Sequence, residues 1–360
     1  MARIVYGVSG EGSGHSSRAS EIAAWLEAQG HEVRLASYDR GYRNLKDRFT
    51  VIEISGLHIV SEDNRVARRK TLRRNLAALP NGIDSVRGVR RELFEGFRPD
   101  CVITDFEPTT AYLAKHYRLP LISIDNQHRM RYMRFPCPRH MRVDAAVTKT
   151  VIRAMVPRPT VALVTTFYFG EVKNTRTFLF PPILRRAVLD SRPREGTHCL
   201  VYATAGHESL LHVLRQFRDE RFLVYGYERE GSDGPLEFRP FSKDGFLDDL
   251  AGCKAVIATA GFTLITEALH LGKPYLALPM AGQFEQMLNG VLLEAAGLGR
   301  SLAAPDVDEV GAFLAGLDDY RAALSDYPRA DNRAILAKLE ELLDDDLHLL
   351  RYLHKPCTSC

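Results

Sequence analysis

The sequence predicts an α/β protein made of two halves, each a parallel sheet covered by helices on both faces. Three observations carry this expectation. Short apolar runs alternate with stretches of helical spacing along most of the chain, the pattern of strands joined by helical crossovers. The pattern stops at Pro181-Pro182 and then restarts, and proline cannot continue a central strand. At 360 residues the chain also exceeds the roughly 250 to 300 residues at which single cores stop growing.

The elements follow in order. Residues 3–8 are a buried-strand run, Gly10 to Gly14 a glycine-rich loop, residues 16–28 a helix through Ile22, Trp25 and Leu26, and residues 33–36 a second strand after Gly30. The same order recurs in a strand at 100–104, a helix at 108–116 and a strand at 121–124. Strand-like runs at 161–167 and 178–180 complete the first half. After the proline break come a strand at 198–203, a turn at Ala205-Gly206-His207, a helix at 208–218 and a strand at 222–225. A short strand at 236–239, a helix at 246–252, a strand at 255–259, a helix at 263–271 and a strand at 275–278 follow. Residues 334–353 space Ile335, Leu339, Leu342, Leu343 and Leu350 as a terminal helix, interrupted by Asp344-Asp345-Asp346. The expected domains are 1–182, 183–333, and a terminal segment 334–360 whose helix crosses back to the first half before a flexible tail.

Composition sets the class. With 45% hydrophobic and 26% charged residues, disorder, collagen and coiled coil are excluded. No window reaches the roughly 18 apolar residues of a membrane helix, and no apolar leader precedes the first strand, so a cytoplasmic location is expected. Six scattered cysteines read as reduced thiols, and the close pair Cys357 and Cys360 as part of the tail. Net charge is +3, but residues 60–160 carry 20 Lys/Arg against 10 Asp/Glu, leaving 28 against 35 elsewhere. The basic segments 65–74 and 129–142 read either as a solvated face, as a peripheral contact with an anionic membrane, or as attraction for an anionic soluble acceptor. No recognition motif for nucleic acid accompanies them.

Three motifs bear on chemistry. Gly10-Glu-Gly12-Ser13-Gly14-His15 joins the first strand to the first helix, where backbone N–H groups can hold a phosphate or a substrate oxygen. His15 replaces the third glycine of a dinucleotide fingerprint, which argues against a nicotinamide enzyme even though Asp39 stands near the end of the second strand. A histidine at the carboxyl end of a parallel strand suits general-base work; the alternative is a capping or core histidine. Asp105 ends the next well-defined strand and would orient His15, unless it joins Glu107 in capping the helix that begins near Pro108. The third motif runs from Ala258 through Gly261, Phe262, Thr263, Glu267 and Gly272-Lys273-Pro274 to Pro279, Gln283, Gln286 and Asn289. Its glycine turn presents N–H groups to a diphosphate, Glu267 can accept a ribose diol, and the amides can contact sugar hydroxyls. The Asp-x-Asp pairs at Asp306 and Asp344 do not end a core strand, so no metal is expected.

This third motif resembles the donor-binding signature of GT-B nucleotide-sugar glycosyltransferases, MurG-like and UDP-glycosyltransferase-like, and the plan of both halves is similar over about 300 residues. The resemblance implies two Rossmann-like domains facing across a cleft. It implies a hexosyltransferase moving sugar from a UDP- or TDP-type donor to a hydroxyl acceptor, inverting, without metal or other cofactor, the nucleotide sugar being a co-substrate. His15 would be the base and Asp105 its partner, with Gly12, Ser13 and Gly14 as the acceptor-side loop. Thr204, Gly206, Phe241, Gly261, Phe262, Thr263, Glu267, Gln283, Gln286 and Asn289 would bind donor. Glu285 and Ala260 depart from the signature, where Asp and a first glycine are usual. A 2-epimerase of the same fold and a non-catalytic sugar-nucleotide binder are the rival readings, and a lipid-linked or anionic acceptor would account for the basic segments.

Overall fold

The structure, a computed structural model, describes residues 1–56, 61–62, 65–66, 79–203, 208–227, 229–240 and 242–354. The first half contains β1 (Arg3–Val8), α1 (Gly14–Ala28), β2 (Glu32–Ser37), α2 (Asp39–Leu45), β3 (Val51–Glu53) and a small antiparallel pair, β4 (Ser61–Glu62) and β5 (Arg65–Val66). It continues with α3 (Leu79–Val89), which runs into a π-helical turn at Arg90–Gly96, then β6 (Cys101–Asp105), α4 (Pro108–His116), β7 (Leu121–Asp125), α5 (Arg129–Tyr132), α6 (Arg142–Met155), β8 (Val161–Thr165) and β9 (Thr177–Phe180). The second half contains α7 (Arg186–Leu189), β10 (His198–Tyr202), α8 (Glu208–Leu214), β11 (Arg221–Tyr225), β12 (Gly231–Asp233), β13 (Leu236–Phe238), α9 (Lys243–Gly252), β14 (Ala255–Ala258) and α10 (Phe262–His270). It ends with β15 (Tyr275–Ala277), α11 (Phe284–Ala295), β16 (Gly299–Ser301), α12 (Val307–Ala315), α13 (Leu317–Ser325) and α14 (Arg333–His354).

Two seven-stranded sheets result, ordered β3-β2-β1-β6-β7-β8-β9 and β12-β13-β11-β10-β14-β15-β16. Every pairing in the first is parallel, and only β12 runs antiparallel in the second. Alternation in β1 shows why both faces are covered. Ile4, Tyr6 and Val8 pack with α1 and with Ile335, Leu339 and Leu342 of α14, whereas Val5 packs with Leu93, Phe94, Val102 and Ala111 on the other face. The terminal segment therefore lies on the first sheet.

That segment is not one continuous helix. Its backbone leaves the helical region at Asp344–Leu347, where Asp345, Asp346 and Leu347 have φ of 47°, 57° and 62°. Three adjacent carboxylates repel one another, and turning the chain there returns Leu347 and Leu350 to the core. In each half the order of strand addition reverses at the centre of the sheet, between β1 and β6 and between β10 and β14, so loops at the carboxyl ends of these strands open on a crevice. An apolar cluster joins the halves. Met130, Met141, Ala145, Ile152 and Phe167 of the first pack with Phe262, Phe284 and Leu288 of the second.

Candidate active site

The site begins with strand register. β1 and β6 pair in parallel with Val8 opposite Asp105, so the strands end level and Asp105 lies beside the loop leaving β1. Ser9 N donates to Asp105 O at 3.0 Å. The loop needs glycine for two reasons. A Cβ on Gly10 would stand 2.1 Å from Tyr38 O, and Gly12 has φ +74°. Helix α1 then starts at Gly14 with no side-chain cap from Ser13, which puts His15 in its first turn.

His15 Nδ1 lies 2.7 Å from Asp105 Oδ1. With the proton on Nδ1 donated to that carboxylate, Nε2 is an acceptor pointing away from it. Asp105 is fully buried and also receives Arg18, whose Nε donates to Oδ2 at 2.8 Å and Nη2 to Oδ1 at 2.6 Å. Arg18 stands one helical turn after His15, and burial, which alone would lower its pKa, is outweighed by Asp105, so the pKa is raised. The sequence reading missed Arg18; its signal was the i, i+3 spacing from His15.

The two acidic residues after β6 divide their work. Phe106 takes a φ of +57°, and beyond it Glu107 caps α4, accepting from Thr109 N at 2.6 Å and Thr110 N at 2.7 Å. Burial raises the Glu107 pKa against those bonds. Asp105 takes no part in that cap.

From β14 the chain turns through Thr259, Ala260 and Gly261 into α10, whose first turn carries Phe262 and Thr263 and has no side-chain cap. A Cβ on Gly261 would meet nothing within 4 Å, so space opens over this turn. A Cβ on Gly14 would lie 2.5 Å from Thr263 Oγ1, so the His15 loop and the α10 N-terminus meet across the crevice. Asn126 Nδ2 donates to Glu285 Oε1 at 2.7 Å and Gln127 Nε2 to Oε2 at 3.2 Å, a second tie between the halves.

Other candidate residues are placed as follows. Glu267 is 3% exposed, and Arg185, from the proline-rich connection, donates to its two oxygens at 2.8 Å each. Gln286 Oε1 accepts from Met280 N at 3.0 Å, and Gln283 caps the start of α11 by position alone. Asn289 is fully buried, donating from Nδ2 to Ala260 O at 2.7 Å and accepting from Arg129. Thr204, Gly206 and Phe241 lie outside the described residues, as do residues 67–74 of the first basic segment and the Cys357–Cys360 tail. In the second basic segment Arg134, Arg139 and Arg142 are exposed, but Arg129 is fully buried and belongs to the crevice rather than to a surface. Sequence treats it as one charge in a run, because nothing in its neighbours marks it as interior.

Among the described residues no group of three or more His, Cys, Asp or Glu could hold a metal ion, and no helix is long and apolar enough to cross a membrane.

Two Rossmann-like domains meet at a histidine–aspartate pair and an uncapped helix N-terminus, and the fold is that of the GT-B glycosyltransferases. The model of glycosyl transferase family 1 matches residues 2–318, and the chain belongs to that family. An uncharacterized glycosyltransferase of Methanosarcina acetivorans is 26% identical over 340 residues, covering 86% of this chain and 87% of the relative. Among solved structures, the calicheamicin glycosyltransferase CalG4 superposes with a TM-score of 0.66 at 16% identity, covering 96% of this chain and 99% of that one. The spinosyn rhamnosyltransferase SpnG superposes with TM-scores of 0.63 complexed with thymidine diphosphate and 0.60 complexed with spinosyn aglycone, each at 16% identity over 94% of this chain and 100% of that one.

Proposed function

We propose that the protein transfers a glycosyl group from a UDP- or TDP-type sugar to an acceptor hydroxyl with inversion at the anomeric carbon, His15 acting as base. The observation that carries this reading is the 2.7 Å pairing of His15 with buried Asp105 directly beside the α10 N-terminus. The acceptor O–H gives its proton to His15 Nε2 as its oxygen bonds to the anomeric carbon. The bond from that carbon to the diphosphate breaks, and its electron pair leaves with the phosphate oxygen. Asp105 keeps the imidazole oriented and stabilises the imidazolium that forms. The N–H groups at the start of α10 meet the leaving charge, so the reading needs no metal or other cofactor.

The 2′,3′-diol of a UDP donor, or the single 3′-hydroxyl of a thymidine diphosphate donor, falls to Glu267, which must then share or exchange its bond to Arg185. Thymidine diphosphate in SpnG supports a pyrimidine donor by analogy. The acceptor chemistry follows from the first-half loops, which carry the least transferable signal. Exposed Arg134, Arg139 and Arg142 on that side favour an anionic or lipid-linked acceptor.

A panel of UDP-, TDP- and GDP-sugars tests the reading through thermal stabilisation, since a ligand at 100 times its Kd adds about 2.7 kcal/mol. Stabilisation by pyrimidine nucleotide sugars, with turnover only when an acceptor alcohol is supplied, is expected. Donor conversion without acceptor would make the protein an epimerase, and no stabilisation by any nucleotide would remove the donor site.

A further inference from the structure

Arg129 presents an unusual electrostatic problem. It is fully buried at the start of α5, just beyond the carboxyl end of β7. Its Nη2 donates to Asn289 Oδ1, while Nε and Nη1 have no hydrogen-bond partner among the described residues. The guanidinium carbon lies 5.0 Å from the Phe262 ring centroid and 5.9 Å from that of Phe167. Glu285 is the carboxylate that acts on it at longer range, but its oxygens are engaged by Asn126 and Gln127. Burial lowers the Arg129 pKa to about 10, which leaves it a cation at neutral pH.

A buried guanidinium with two unpaired N–H directions is costly. Here it faces the first residue of a nine-residue helix, α10, whose N-terminus also carries partial positive charge. Two positive features held together in the interior repel each other unless an anion lies between them. The protein nevertheless fixes them. Asn289 ties Ala260 O, in the turn before α10, to Arg129 Nη2, so the cation is held relative to the open space over Gly261.

We propose that Arg129 and the N-terminus of α10 form a diphosphate site in which the first half of the chain supplies the neutralising cation and Asn289 positions it. The inference rests on the donor-site reading and adds to it a residue that the sequence signature does not contain. Arg129 then stabilises the leaving nucleoside diphosphate as its charge develops. Asn289, assigned to the sugar by the signature, acts here on the cation.

The test compares the parent protein with Arg129→Met and Arg129→Lys, titrating each with UDP, with TDP and with uridine and thymidine. Arg129→Met is expected to lose at least tenfold in affinity for the nucleoside diphosphates and to keep nucleoside affinity unchanged, with Arg129→Lys between the two. Equal affinity of Arg129→Met and parent for UDP and TDP overturns the proposal and leaves the donor site standing. Absence of any nucleoside diphosphate binding to the parent overturns both. If Arg129→Met fails to fold, Arg129→Gln decides, since parent affinity for UDP and TDP in a folded variant without the cation overturns the proposal.

Discussion

Gly14 and Thr263 come from opposite halves of the chain and approach so closely that a methyl group on Gly14 would stand 2.5 Å from Thr263 Oγ1 and 3.7 Å from its Cβ. The contact joins the loop that carries His15 to the helix that faces the donor. Gly14 lies in the first turn of α1 with no requirement for positive φ, so alanine suits its local backbone.

Gly14→Ala is therefore expected to fold normally and to lose transfer activity by at least tenfold, because the halves cannot approach. Thr263→Ala removes the obstructing oxygen and leaves an ordinary 3.7 Å contact. The Gly14→Ala/Thr263→Ala double variant should recover the rate of Thr263→Ala alone, as steady-state kinetics on the four proteins will read.

Glu267 and Arg185 give a second separable pair. Glu267→Ala is expected to weaken nucleoside diphosphate binding and also to lower stability by about 1–3 kcal/mol, since Arg185 loses its partner. Arg185→Ala should lower stability while calorimetric nucleotide affinity holds or rises. A drop in nucleotide affinity confined to Arg185→Ala would transfer the binding role to the arginine.

Asp125 reports on pH. Burial works to raise its pKa, but His128, through ring and backbone N–H, and the Ser123 hydroxyl hold it down to about 2. A depressed carboxyl stabilises the fold above its unfolded pKa and loses that contribution as pH falls towards the folded value. Asp125→Asn should thus cost about 2 kcal/mol at pH 7, a gap that narrows between about pH 4 and pH 2. Urea titrations at pH 7 and pH 2.5 will read it.

The kink in α14 offers a gain of stability. Asp345 and Asp346 adopt left-handed backbone at φ 47° and 57°, which costs an L-residue about 1 kcal/mol more than glycine. Asp345→Gly is expected to raise the melting temperature by a few degrees, and a lower one would show that the carboxylate contributes more than the strain removes.

These residues also show what sequence patterning can and cannot reveal. Strands such as Leu121–Asp125 and helices such as Pro108–His116 are legible because apolar period and a proline at the first turn are local signals. His15 and Asp105 are legible because strand ends in a parallel sheet converge, and the register of Val8 with Asp105 follows from that rule. Arg129 and Arg185 are not legible, and Arg18 is marked only by its i, i+3 spacing from His15. Each is defined by a partner 82 to 160 residues away, as in the pairing of Arg185 with Glu267 and of Arg129 with Asn289. The three-carboxylate break is visible as composition, but its left-handed geometry depends on Leu347 returning to the core.

His15 as the group that takes the acceptor proton is tested most directly by one comparison. His15→Ala should retain the nucleotide-sugar Kd of the parent within about twofold while kcat falls by roughly 10² to 10⁴. Transfer by His15→Ala at the parent rate would contradict the base assignment.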